Sequence, residues 1–300
     1  MKIKKVNDNL LLNLNMEQMV ETFIKYLDVD DLTLKAYKVG MGSFLQYLKD
    51  NNIATPTRND LIVYRNHLRE TYSTNTVNSY MTSIRALFKY LEIHGMYENI
   101  SIDVKGARYD NTPKKQVLTI EQMKYIYDNL TDKRERCLWS LLITTGLRGC
   151  EVSTALIEDI KMYNNEVVLF VLGKKRDSKC EYVKLSDQVI KDIKDYIGER
   201  ENGYIFTSTS NNNKGGGVTT KTLRLIVKDI FKRFGYDDET YSLHSTRRSS
   251  ATAMYELGQS IYDIQQTLHH VSINTTTRYI NCISRNKNKS EYIVSNAILG

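Results

Sequence analysis

Apolar residues recur every three or four positions through most of the first hundred residues, the spacing of one face of an α-helix. Four such stripes follow one another, separated by short polar stretches. The clearest contains Val77, Tyr80, Met81, Ile84, Leu87, Phe88 and Leu91, begins near Ser73 or Thr74 and ends near Gly95. The pattern predicts an N-terminal four-helix bundle, which is long enough to form an independent domain.

The apolar period disappears between residues 103 and 117. This segment contains Gly106 and Pro113. Its cations are Lys105, Arg108, Lys114 and Lys115. The segment therefore predicts an extended basic linker whose cations can contact backbone phosphates.

Helix and strand patterns alternate after the linker. Thr119 and Gln122 form a capping box before one helix, and a second helix runs from about Asp132 to Gly146. Strands are predicted at 166–172 and 180–185, joined by a charged hairpin tip, and helices at 187–197 and 219–234. The fold class is therefore mainly α with a small antiparallel β-sheet. We expect a helical bundle at 1–104, a linker at 105–117, and a mixed α+β domain at 118–300.

Composition narrows the class of protein. The chain has 300 residues and a net charge of +7, which suits a polyanionic partner such as DNA. No apolar run approaches the ~20 residues that a membrane span needs. The four cysteines form no C-x-x-C pair, so neither a zinc ribbon nor a disulfide framework is expected. These features predict a reduced, cytoplasmic protein that does not enter a membrane.

The polar face of the fourth helix has two interpretations. It carries Asn75, Asn78, Arg85 and Lys89. Such a face is commonly only solvated. It also suits a helix lying against a DNA groove, because Asn and Arg can reach base edges and Lys can contact phosphates.

Residues suited to phosphate chemistry lie in the last third of the chain and in one upstream segment around Arg148. The candidates are Arg148, His244, Arg247, His270 and Tyr279. Two guanidinium forks match phosphate oxygens, and a phenol can act as a nucleophile. Each residue also has an ordinary interpretation, as a surface charge, an ion pair with Glu151, or one of 21 tyrosines. The adjacent His269 and His270 could also ligate a metal, but no carboxylate cluster accompanies them in the sequence, so no metal is expected.

Three segments resemble the signatures of the tyrosine recombinase (phage integrase) family. TTGLRGCE around Arg148 resembles T-G-[LM]-R-x-x-E, and HSTR at 244–247 resembles H-x-L-R. LHHVSINTTTRY at 268–279 resembles L-G-H-x-x-x-x-T-T-x-x-Y, including the nine-residue interval from His270 to Tyr279. His269 replaces the usual glycine, Thr246 replaces the usual leucine, and the hairpin lacks the usual G-K-G-x-K-x-R form.

The resemblance implies DNA strand breakage and rejoining through a 3′-phosphotyrosyl bond at Tyr279, without metal or other cofactor. Arg148 and Arg247 would bind the scissile phosphate, with His244 as base and His270 as hydrogen-bond donor. Glu151 would orient the pocket. Lys174 would be the general acid, with Lys175 and Lys179 as competitors for that role.

The same resemblance implies a partner and an assembly. The partner would be double-stranded DNA with paired binding sites. Two copies would bind each site and four would form the synapse, joined through an apolar C-terminal tail helix. Two other functions stay open at this point: a DNA-binding regulator without catalysis, and a relaxing activity like that of type IB topoisomerases.

Overall fold

The structure, a computed structural model, describes residues 14–108, 116–173, 176, 178–287 and 290–299. At 212, 281–287, 290 and 291 it describes the backbone alone. The chain divides into two compact units, Met1–Thr112 and Pro113–Gly300. Mostly helical structure with one small antiparallel sheet confirms the predicted fold class. The domain limits expected at 104 and 118 stay a prediction. None of the described helices combines the length and apolar content that crossing a membrane requires.

The first unit contains four helices. They are α1 Met16–Tyr26, α2 Asp31–Asp50, α3 Arg58–Thr71 and α4 Thr74–Ile93. Each begins at a polar cap, and a capping box of Thr57 and Asp60 opens α3. Ser73 caps α4, whose apolar stripe is buried as expected, with Leu87, Phe88 and Leu91 fully enclosed. Amphipathic periodicity therefore accounts for this bundle.

Helices α2 and α4 approach closely at Gly40. A Cβ atom added there would lie 2.4 Å from Ser83 Oγ and 3.2 Å from Tyr80 Cα. Ser83 is buried rather than part of a solvated face, and its hydroxyl donates to Tyr80 O at 2.7 Å. Gly40 is therefore a packing glycine, whereas Gly42 has open space around it.

The second unit contains nine α-helices and three strands within its described residues. The helices are α5 Ile120–Asn129, α6 Lys133–Thr145, α7 Gly149–Ser153, α8 Asp187–Ile197, α9 Thr220–Arg233, α10 Leu243–Glu256, α11 Ile261–Thr267, α12 Ile273–Lys287 and α13 Ser290–Leu299. The strands are β1 Ile160–Tyr163, β2 Glu166–Val171 and β3 Glu181–Lys184. They pair antiparallel in the order β1-β2-β3.

Strand β1 is an addition to the two strands that the sequence predicts. It pairs with β2 through a two-residue turn at Asn164 and Asn165, which both have positive φ. Adjacent asparagines tolerate that conformation, so the turn signal was present in the sequence. The strand itself is only four residues long and mostly exposed, which leaves little apolar alternation to detect.

The core of this unit surrounds α6. Trp139 is fully buried, its indole N–H donates to Met123 O at 3.1 Å, and its ring lies edge-on to Phe231. Gly146 ends α6 in the left-handed conformation, with φ 64°. The end of α6 thereby turns directly into the segment that carries Arg148.

Candidate active site

Helix α10 buries polar residues instead of an apolar stripe. Its buried residues are Leu243, Ser245, Thr246, Arg247, Arg248, Ser249, Ser250, Ala251 and Thr252. Seven of these nine are polar or charged. Burial of such groups is unfavourable without hydrogen-bond partners. A buried helix face of polar residues departs from the usual apolar pattern, and such departures are typical of functional sites.

Arg247 is 1% exposed and holds two chain segments together. Its Nη1 donates to Gly146 O at 2.6 Å, and its Nη2 donates to Leu268 O. A guanidinium has five N–H donors, and the two carbonyls take two of them. Its buried Nε has no hydrogen-bond partner among the described residues. The fork therefore keeps donors that can bind phosphate oxygens.

Arg148 is oriented by the fully buried carboxylate of Glu151. The backbone N–H of Arg148 donates to Glu151 Oε2 and its Nη1 to Oε1, both at 2.6 Å. Arg247 Nη1 lies 3.8 Å from Glu151 Oε2. One carboxylate thus partly neutralises both guanidinium groups and fixes the distance between them. Arg148 Nη2 also donates to His269 O at 3.3 Å.

Tyr279 of α12 lies between two histidines. Its hydroxyl oxygen is 2.7 Å from Nε2 of His244. Its ring packs edge-on against His244 and His270, with ring centres 5.5 Å and 5.3 Å apart. The structure therefore brings five residues that the sequence singled out into one place. We call them the active-site cluster: Arg148, His244, Arg247, His270 and Tyr279.

The two histidines of the cluster are held neutral. Loss of hydration, together with the positive charges of Arg247, Arg248 and Arg148, lowers the pKa of His244 to about 4, although the residue as a whole is exposed. Loss of hydration, followed by the charges of Arg247 and Arg148, lowers the pKa of His270 to about 3. Burial, and next the Arg148 charge, lower the pKa of Arg247 to about 10. Near pH 7 Arg247 is therefore charged, and both imidazoles can accept a proton.

Two residues of this site were not singled out from the sequence. The guanidinium carbon of the buried Arg248 lies 5.9 Å from the centre of the Tyr279 ring, within range of a cation–π contact. The hydroxyl of the buried Thr276 is 2.8 Å from Nδ1 of His270 and fixes its ring. Thr276 belongs to the Thr-Thr pair of the motif at 268–279, and that pair could have indicated its role from the sequence. Arg248 is only the neighbour of Arg247 in sequence, and α10 has no apolar period to indicate burial.

The candidate general acids are placed only in part. Lys174 and Lys175 lie outside the described residues. Lys179 is described, and its ammonium donates to Asp159 Oδ2 and, at 3.1 Å, to Thr154 O. These two contacts occupy Lys179 in a structural role. The choice of Lys174 over Lys175 stays a prediction.

Glu151, Glu181 and His269 bring possible metal ligands within 4.8 Å of one another. Both oxygens of Glu151 already accept from Arg148, and a divalent cation here would lie beside two guanidinium groups. Repulsion by these charges opposes metal binding. The three side chains therefore fit an ion-pair network better than a metal site.

The residues expected to contact DNA divide into two groups. Asn78 Nδ2 donates to Ala107 O at 3.0 Å, and Arg85 donates twice to Val104 O, at 2.7 and 3.2 Å. These two side chains hold the start of the expected linker against α4, with Val104 and Ala107 in the bundle core. The exposed candidates are Asn75, Lys89, Lys105 and Arg108. Lys114 and Lys115 lie outside the described residues.

Comparison with known families agrees with this geometry. Residues 116–285 match the model of the phage integrase family. The chain belongs to the phage integrase family. Residues 20–95 also match the N-terminal SAM-like domain of phage integrases. The integrase match spans every residue of the active-site cluster, and the second match covers most of the helical bundle.

Relatives of this phage integrase family member extend over most of its length. Tyrosine recombinase XerA of Pyrococcus furiosus is 28% identical over 87% of this chain and 88% of its own. A tyrosine recombinase of Thermosipho africanus is 28% identical over 91% of this chain and 98% of its own.

Solved structures share the fold. The XerH site-specific recombinase bound to palindromic difH substrate, in a post-cleavage complex, has a TM-score of 0.72 at 20% identity, covering 94% of this chain and 84% of its own. A dimer of lambda integrase residues 75–356 bound to a COC′ core site has a TM-score of 0.71 at 16% identity, covering 87% of this chain and 97% of its own.

Proposed function

We propose that the protein is a cytoplasmic site-specific DNA recombinase that cuts and rejoins DNA through a covalent bond to Tyr279. The observation that carries this proposal is the 2.7 Å contact between the Tyr279 hydroxyl and Nε2 of His244. It lies beside Arg148 and Arg247, which share the buried carboxylate of Glu151. Family membership and the tyrosine recombinase relatives that match most of this chain support it.

Phosphate binding is the first step. Arg148 and Arg247 would each offer N–H donors to the non-bridging oxygens of the scissile phosphate, and neutral His270 would add one donor. Fixed donors of this kind stabilise the charge that develops in the transition state. Because Glu151 and the carbonyls hold the arginines before DNA arrives, little reorganisation is needed.

Attack by Tyr279 is the second step. A phenol has an ordinary pKa near ~10, so a base must take its proton at neutral pH. Nε2 of His244 lies within hydrogen-bond reach, and its low pKa keeps its lone pair available. The proton passes to His244 as the Tyr279 oxygen forms a bond to phosphorus. The bond from phosphorus to the 5′-oxygen then breaks.

Release and resealing complete the reaction. The departing 5′-oxygen needs a proton, which we assign to Lys174. The resulting 5′-hydroxyl of a partner strand then attacks the phosphotyrosine, restoring a phosphodiester and freeing Tyr279. One phosphoester bond replaces another at each step, so the reaction requires no ATP, and the arginines supply the charge that a metal otherwise would.

A nicked suicide substrate tests the chemistry. When the fragment beyond the cleavage site diffuses away, a covalent protein–DNA adduct accumulates that survives denaturing electrophoresis. We expect wild type to form it in EDTA and Tyr279→Phe to form none. Absence of the wild-type adduct on substrates that the protein binds would support a non-catalytic regulator. An equal adduct with Tyr279→Phe would reassign the nucleophile.

DNA binding by the first unit and linker is a separate proposal. The exposed cations Lys89, Lys105 and Arg108 would contact backbone phosphates. Replacing Lys105 with alanine should weaken binding on all sequences and reduce the salt slope by about 1. An unchanged slope would remove Lys105 from the interface. Exposed Lys35, in α2 and outside the proposed surface, provides a matched control.

Assembly through the C-terminal tail is the remaining proposal. Helix α13 exposes apolar side chains. Those more than half exposed are Tyr292, Ile293, Val294, Ile298 and Leu299. Exposed apolar clusters of this kind suit a protein partner, and we assign this one to a second copy of the chain. Two copies would occupy each site and four the synapse.

Mass measurement on paired-site DNA tests the assembly. Ile298→Ser with Leu299→Ser should reduce two-copy and four-copy complexes while leaving one-copy binding intact. Unchanged complexes would assign the tail to another role. Gel analysis of plasmid products separates recombination from relaxation alone, which would favour a topoisomerase-like activity.

A further inference from the structure

His269 has an unusual backbone conformation for its residue type. It follows α11 with φ 49°, in the left-handed region that glycine adopts at lower cost. Its N–H donates to Gln266 O at 2.9 Å, and the N–H of His270 donates to Gln265 O at 3.0 Å. The turn therefore needs only a backbone that tolerates positive φ. An imidazole here is explained by the contacts that its side chain makes.

Those contacts join the turn to strand β3. The His269 side chain is 10% exposed, and its Nε2 lies 3.0 Å from Tyr182 O. Its Nδ1 lies 3.5 Å from Glu181 Oε2. Both partners belong to the first half of β3. The imidazole thus bridges the active-site turn and the strand that follows the β2–β3 connection.

The proton pattern of this bridge follows from its partners. A carbonyl oxygen can only accept, so Nε2 of His269 carries the hydrogen. Nδ1 faces the Glu181 carboxylate, whose oxygens can only accept. Nδ1 has no hydrogen-bond partner among the described residues. A proton on Nδ1, or an amide in place of the Glu181 carboxylate, would complete the second contact.

The same turn contacts the active-site cluster at three consecutive residues. Leu268 O accepts from Arg247, His269 O accepts from Arg148, and the His270 ring packs against Tyr279. The backbone of the turn is therefore fixed to the phosphate-binding arginines. Any side chain that ties the turn to β3 also fixes β3 relative to the scissile phosphate.

We propose that His269 is a positioning residue that holds strand β3, which follows the candidate general acid Lys174 in the chain, in register with the active-site arginines. This inference rests on the proposed function, in which the β2–β3 connection supplies the general acid. General acids work only within hydrogen-bond reach of the leaving oxygen. Loss of the bridge should therefore weaken proton delivery more than phosphate binding.

Two suicide substrates separate these effects. One carries the ordinary 5′-oxygen at the cleavage site and the other carries sulfur in its place. A thiol leaving group, with a pKa near ~8.5, departs as the anion and does not need the acid. We expect His269→Gly to slow adduct formation about 10- to 100-fold on the oxygen substrate and to approach the wild-type rate on the sulfur substrate.

His270→Ala is the matched control on the adjacent residue. It removes a proposed phosphate donor, so sulfur should not restore its rate. Equal slowing of His269→Gly on both substrates, or no slowing on either, would overturn the inference. A wild type that forms no adduct on either substrate would overturn the proposed function instead. Glycine suits φ 49°, and the fluorescence of Trp139 verifies that the variant is folded.

Substitutions of Glu181 test the bridge from its other side. Glu181→Gln can donate an amide hydrogen to Nδ1 of His269, so we expect near wild-type cleavage of the oxygen substrate. Glu181→Ala removes the contact and should show the same sulfur rescue as His269→Gly. A wild-type rate for Glu181→Ala on the oxygen substrate would contradict a bridge in which His269 holds β3 through both Glu181 and Tyr182 O.

Discussion

Helices α4 and α10 bury opposite kinds of side chain. Of the eight buried residues of α4, seven are apolar or aromatic and the other is Ser83. Of the nine buried residues of α10, seven are polar or charged. Apolar burial stabilises a fold directly, whereas buried charge costs hydration that must be offset by partners. Substitutions in α4 should therefore change stability, and substitutions in α10 should change chemistry.

Arg247→Lys is the strongest test of the α10 half of this comparison. Lysine keeps a positive charge near Glu151 but loses the planar fork that contacts two carbonyls and the proposed phosphate. We expect adduct formation on the nicked substrate to fall about a thousandfold. Urea unfolding followed by Trp139 fluorescence should show a folded second unit. A near wild-type cleavage rate would contradict the role of the fork.

Phe88→Ala tests the α4 half. Phe88 is fully buried and its ring packs against Phe44 and Tyr97. The cavity should lower the free energy of unfolding by about 3–5 kcal/mol, measured by urea unfolding with far-UV circular dichroism. Ile93→Ala, at an exposed position of the same helix, is the control and should have little effect. If folded Phe88→Ala failed to cleave DNA present at a saturating concentration, substitutions in α4 would affect chemistry as well as stability. That result would contradict the comparison.

The pH dependence of stability distinguishes the polar site from the apolar core. Unfolded histidine has a pKa near ~6.5, whereas folded His244 and His270 have pKa values of about 4 and about 3. Between these values the unfolded chain binds protons that the folded chain does not. Stability from these groups is therefore fully present above pH 6.5 and is lost as pH falls toward 4 and below.

Urea unfolding at pH 7.5 and pH 5, followed by Trp139 fluorescence, measures this loss in the second unit. We expect a lower midpoint at pH 5. His270→Asn should reduce the difference between the two midpoints, because Asn does not titrate. An undiminished difference in that variant would assign the pH dependence to other groups.

The same contrast explains what the sequence could predict. The limits of α4 follow from its apolar period and from Ser73, because its neighbours are apolar and the stripe must be buried. No such period runs through α10, and its chemistry was recognised from a motif rather than from packing. The burial of Arg248 against Tyr279 depends on the meeting of α10 and α12, which local patterns do not describe.

Polar side chains of α4 show a second limit. Asn78 and Arg85 look like a DNA-contacting face in the sequence, yet both bind carbonyls of the chain near 104–107. An Asn or Arg has the same hydrogen-bonding groups for a carbonyl as for a base edge or a phosphate. Only the path of the chain after Gly95 decides which partner it meets, and that path has no periodic signal.

Gly40 and Gly42 of α2 provide the smallest expected change in the free energy of unfolding. They compare what helix propensity predicts with what packing predicts at two positions of one helix. Both look like helix-weakening residues in the sequence, so alanine at either should stabilise the helix by about 1 kcal/mol. The structure predicts opposite signs. Gly42→Ala meets open space and should raise the free energy of unfolding. Gly40→Ala meets Ser83 Oγ and the Tyr80 backbone, and overpacking of this kind costs about 1–3 kcal/mol.

Adding Ser83→Ala to Gly40→Ala removes the nearer contact while the Tyr80 backbone stays in place. The double variant should therefore recover part of the loss, in urea unfolding followed by circular dichroism. Equal gains from Gly40→Ala and Gly42→Ala would mean that α2 and α4 can separate without cost at this crossing. The contact between α2 and α4 would then tolerate a shift. The two arginines of the active-site cluster, held by Glu151 and three backbone carbonyls, have no such freedom.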